Sequence, residues 1–102
     1  MRWVDFEYCG FHDVPRSILV RLPGATILLD SQFVESLDEY DDHYNVFRLP
    51  RGVDPGRDWA RLCETAGPPI GRVSVVAVKF DETRRRQLDL DCLARVLPDD
   101  LR

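Results

Sequence analysis

The chain has 102 residues, 44% hydrophobic and 31% charged, with a formal net charge of −4. That balance is too apolar for a disordered chain, and at this length a single core forms without disulfide or metal staples. No apolar run approaches the roughly 18 residues a membrane helix requires, and the start "MRWVDFEY" carries two acids where a secretory signal carries an apolar stretch. One cytoplasmic domain spanning 1–102, with no membrane association, is the expectation.

Residues 2–8 alternate Val4, Phe6 and Tyr8 with Asp5 and Glu7, the period of a half-buried strand. The β-rich runs 16–22 and 25–30 flank Pro23-Gly24 and predict a hairpin. Pro-Gly favours a type II turn, whose twist suits a two-residue hairpin poorly, so a longer connection is expected. Residues 44–49 make a fourth strand, ended by Pro50. Asp54 as N-cap and Pro55 in the first turn open a helix in which Trp59, Leu62, Cys63 and Ala66 recur at i, i+3, i+4 and i+7; Gly67 and Pro68 stop it. Residues 72–80, apolar nearly throughout, read as a central strand covered on both faces. A second helix is expected to begin at Asp89 or Asp91 and run to Leu97. Leu88 and Leu93 form a hydrophobic staple about a cap at Asp89, and Leu90, Leu93, Ala94 and Leu97 a buried stripe. The order β-β-β-β-α-β-α predicts an α+β fold: a mainly antiparallel five-stranded sheet with two helices packed on one face.

Cys9, Cys63 and Cys92 are odd in number and never paired as C-x-x-C, which argues against a disulfide framework or a zinc site. They read as buried packing residues in a reducing compartment. Thirteen of the fourteen basic residues are arginine, the mark of a GC-rich bacterial genome. Residues 1–50 carry four basic and nine acidic side chains, net −5, and residues 51–102 carry ten and nine, net +1. A nucleic-acid binder shows a basic face, so nucleic acid is not the expected partner. The run Arg84 to Arg86 reads as a solvated turn.

The acidity concentrates in "ESLDEYDDHY", residues 35–44. Like charges that close repel by about 1 kcal/mol per pair even in water, so the cluster calls for solubility, a cation or a basic partner. An EF-hand loop counted from Asp38 would need Gly where His43 stands and Glu where Leu49 stands, so no metal or cofactor is expected. Tyrosines interleaved with acids suit protein recognition: they give contact area at low entropic cost, while carboxylates attract Arg and Lys. The expectation is therefore a small non-enzymatic binding protein of the bacterial immunity or antitoxin kind. Glu35, Asp38, Glu39, Tyr40, Asp41, Asp42 and His43 would dock on a basic protein partner such as a nuclease toxin. One alternative is a hydrolase or metal-dependent enzyme using His12 or His43 beside their neighbouring acids, with a Cys9–His12 dyad as a variant. The other is a self-associating structural protein, in which an uncovered sheet edge or the apolar face opposite the helices pairs with a second copy, so that the chain is a monomer or a homodimer.

Overall fold

The computed structural model describes residues 1–83 and 86–102. In chain order its strands are β1 (Trp3–Asp5), β2 (Glu7–His12), β3 (Val14–Arg21), β4 (Thr26–Asp30), β5 (Phe33–Val34), β6 (Glu39–Tyr40), β7 (His43–Leu49), β8 (Gly71–Ser74) and β9 (Gln87–Asp89). Among the described residues one α-helix, α1 (Ala60–Thr65), joins short 3-10 turns at Glu35–Leu37, Val75–Ala77, Leu90–Leu93 and Asp99–Leu101. The centre is a five-stranded antiparallel sheet ordered β2-β3-β4-β7-β8, flanked by the two-stranded pairs β1-β9 and β5-β6. Among the described residues no helix is long and apolar enough to cross a membrane.

Strand alternation sends Ile18, Val20, Ile27, Leu29, Tyr44 and Val46 to one face of this sheet and Leu19, Leu28, Phe47 and Leu49 to the other. Both faces are apolar, so both must be covered. Leu88, Leu90, Leu93, Leu97 and Leu101 cover the first. Leu62 of α1, with Trp59, Cys63 and Ala66, covers the second.

This corrects the expected α+β architecture with two helices on one face: the molecule is mostly sheet, with one short helix on one face and C-terminal 3-10 turns on the other. Three local causes are visible. Gly56 adopts φ +57 and its N–H donates to the Asp54 carboxylate at 2.9 Å, so Asp54 caps a tight turn and α1 starts only after Trp59. Asp89 does act as a cap, its carboxylate accepting from the Asp91 and Arg2 amides at 3.1 and 2.9 Å, but the chain beyond it winds as a 3-10 turn. Buried Leu90, Leu93 and Leu97 keep the expected stripe, whereas Ala94 is exposed. Finally, the run 72–80 is no central strand. Among the described residues β8 pairs only with β7; the Val75 N–H makes the last bond in that register, to the Asp42 carbonyl at 2.9 Å, the chain then winds as a 3-10 turn over Val75–Ala77, and Val76 is 92% exposed.

The first expected strand is two. Phe6 turns into the core and its N–H donates to the Arg86 carbonyl at 3.0 Å, so the chain switches from pairing with β9 to pairing with β3. Val14–Arg21 and Thr26–Asp30 form the hairpin, joined through residues 22–25. Arg84 and Arg85 of the basic run lie outside the described residues, and Arg86 is exposed.

Candidate functional site

The acidic segment folds as a small hairpin at one end of the sheet. β5 and β6 pair Phe33 with Tyr40 and Val34 with Glu39, and a 3-10 turn over Glu35–Leu37 connects them. Asp38 closes that turn at φ +53, a conformation Asp and Asn tolerate better than other side chains, and its N–H donates to the Glu35 carbonyl at 3.2 Å. Glu35, Asp38 and Glu39 are all exposed, and among the described residues none of their carboxylates has a cation within ion-pair distance. Between them in the chain Leu37 stands 64% exposed, and Phe33, in β5, is 48% exposed.

The C-terminal half of the segment is built differently. Tyr40 is half-buried in a stack: the Arg16 guanidinium carbon lies 4.7 Å from its ring centroid, the His12 ring 5.3 Å and the Phe33 ring 5.2 Å. Arg16 also donates to the His12 carbonyl at 2.9 Å, to Ser31 Oγ at 3.2 Å and to the Asp41 carbonyl at 3.4 Å, tying the end of β2 to the base of the hairpin. The Asp41 carboxylate accepts from the His43 N–H at 3.0 Å and pairs with Arg72 at 3.2 Å. Asp42 meets His43 Nδ1 at 2.7 Å, and this bond to the ring holds its carboxyl below the usual carboxylate range. Tyr44 is buried outright. Its hydroxyl donates to the Pro15 carbonyl at 2.7 Å, and burial pushes its pKa up to about 12.

Of the seven residues singled out in the sequence, Glu35, Asp38 and Glu39 stand exposed on the turn, without an ion pair among the described residues. Tyr40, Asp41, Asp42 and His43 are engaged at its base. Asp41, Asp42 and His43 do bring three ligand-capable atoms within 4.8 Å of one another, but the Arg72 guanidinium already occupies Asp41 and Asp42 is shared with His43. Cys9 is exposed, and among the described residues it makes no hydrogen bond with His12, whose ring is turned onto Tyr40. Sequence reasoning missed Arg16 and Arg72, which lie far from the segment along the chain and are brought to it by β3 and β8, Arg16 to the Asp41 carbonyl and Arg72 to the Asp41 carboxylate. Leu37 was visible, an apolar residue set among carboxylates in "ESLDEY".

No family model, no curated protein and no solved structure matches the chain.

Proposed function

We propose that this is a non-catalytic binding domain that docks through the β5–β6 turn on a basic protein surface. The observation that carries the reading is the composition of the turn: three exposed carboxylates, without an ion pair among the described residues, flank an exposed leucine along the chain. Burying Leu37 against a partner contributes about 1.5–3 kcal/mol, while exposed carboxylate–Arg or carboxylate–Lys pairs add about 0.2–1 kcal/mol each and set encounter rate and partner choice. The engaged base, with Arg16 clamping Tyr40 and Arg72 holding Asp41, pre-organises the turn so that less entropy is lost on binding. An immunity- or antitoxin-like role fits this chemistry, because a nuclease carries a basic substrate cleft that an acidic turn can occupy.

The test is co-purification of the partner from the native host, followed by affinity measurement with the combined variant Glu35→Lys, Asp38→Asn, Glu39→Lys. Asparagine is used at 38 because the backbone there is left-handed. Loss of at least about tenfold in affinity is expected from charge removal and reversal at three sites. Unchanged affinity with a folded variant rejects the turn as the docking element.

A further inference from the structure

β2 is the edge strand of the central sheet, and every one of its residues is exposed. Among the described residues, its backbone from Tyr8 to Phe11 bonds only to β3, so the outer row of N–H and C=O groups is open to pairing. Natural edges are protected by lysine, proline or inward charge; Tyr8–Phe11 carries none of these and has two large aromatics instead. Gly10, at φ +75, bends the strand. Tyr8 and Phe11, three residues apart, would face opposite ways in a regular strand, yet their rings lie 6.3 Å apart, and the bend is what brings them together.

Beside this edge runs a groove of about 620 Å³. Its aromatic wall is Phe6, Tyr8, Phe11 and Phe80, with Phe6 5.6 Å from Phe80 and 6.2 Å from Tyr8. Val14 and Pro15 complete the apolar lining. Among the described residues, the charged ones lining it are acidic: Asp13, Asp81 and Glu82. Asp81 is engaged by the Thr83 hydroxyl and amide at 2.7 and 2.9 Å, while Asp13 and Glu82 are exposed at the rim.

We infer that β2 and this groove capture an extended peptide segment bearing lysine or arginine, added to the sheet as a sixth strand. The added strand satisfies the open backbone row and sends alternate side chains over the groove. There the aliphatic stem of a basic residue lies on the aromatic wall, its cation reaching a ring face or a rim carboxylate. An acidic or purely apolar segment would leave the rim carboxylates repelled or desolvated.

The experiment uses the full chain labelled with nitrogen-15 and, as probe, the acetylated and amidated hexapeptide Lys-Val-Lys-Val-Lys-Val. Saturable shifts and slowed exchange at the Glu7–Phe11 amides are expected. Binding should weaken about threefold in each of Asp13→Asn and Glu82→Gln, as for single exposed ion pairs, and about tenfold in Phe11→Ala. Phe11 is 66% exposed, so its truncation leaves the fold intact. A peptide with Glu for Lys, or with a central proline, should not bind. The inference is overturned by absence of shifts at β2 up to millimolar peptide, by equal binding of the glutamate or proline peptide, or by protection of β2 that grows with protein concentration alone, which would assign the edge to a second copy. The hairpin variant Glu35→Lys, Asp38→Asn, Glu39→Lys should bind this peptide undiminished, which separates the two sites.

Discussion

Replacing Tyr44 with phenylalanine removes one oxygen from a fully buried side chain and leaves the Pro15 carbonyl without the hydroxyl that donates to it at 2.7 Å. Losing that bond and stranding its acceptor costs about 1–2 kcal/mol, which in a domain of this size lowers Tm by about 5–15 °C at pH 7. The pH dependence makes the test sharper. Burial raises the folded-state pKa to about 12, against about 10 for the unfolded chain. A raised pKa means the stability from this group is complete below pH 10 and is lost as pH climbs toward 12, because the unfolded tyrosine ionises first. At pH 11 the wild type has given up about 1.4 kcal/mol through Tyr44 alone, and Tyr44→Phe has lost none of it. Urea denaturation of both proteins at pH 7 and pH 11 therefore finds a gap that nearly closes at the higher pH. A gap that stays constant would refute the buried, donating hydroxyl, as would a pH 7 difference under about 0.3 kcal/mol.

Leu93→Ala should cost about 3 kcal/mol, since Leu93 is completely buried under the sheet, whereas Val76→Ser should stay within about 0.5 kcal/mol. Equal losses in denaturant midpoint would return residues 72–80 to the core. Gly71→Ala should lose about 1–3 kcal/mol, because the new Cβ would sit 2.7 Å from Val96 Cγ1 and 2.9 Å from its Cβ; an unchanged Tm would show that Val96 is not seated there. In single-cysteine variants a thiol-specific disulfide reagent should label exposed Cys9 at least about tenfold faster than half-buried Cys63, whose thiol is pushed up to about 12 by burial and then by Asp30. Comparable rates would contradict that burial.

Much of what is inside was legible in the sequence, and much of the backbone that puts it there was not. The hairpin about Pro23-Gly24 and the strand 44–49, observed as His43–Leu49, follow from β-branched and aromatic alternation, which the register Ile18↔Leu29↔Val46 preserves. The leucines after Asp89 were read as buried and are, but their spacing fits short 3-10 turns laid across a sheet as well as it fits a helix. Apolar content alone cannot tell a central strand from an edge strand that turns away after four residues, and this is why 72–80 reads as a central strand. At the acidic segment, composition located the charge. Which carboxylate is paired depends on Arg72, which reaches Asp41, and how the base of the hairpin is held depends on Arg16, which reaches the Asp41 carbonyl; both approaches follow from strand order, which is set by contacts distant in sequence.

The most direct test of the docking account is the salt dependence of partner affinity, measured by titration calorimetry on the wild type and on Glu35→Lys, Asp38→Asn, Glu39→Lys. Wild-type affinity should fall at least about tenfold between about 50 mM and about 500 mM salt, because exposed charges separated by more than a few ångströms are screened. The variant should start weaker and change little. Parallel salt curves for the two proteins would show that the carboxylates on this turn do not meet the partner.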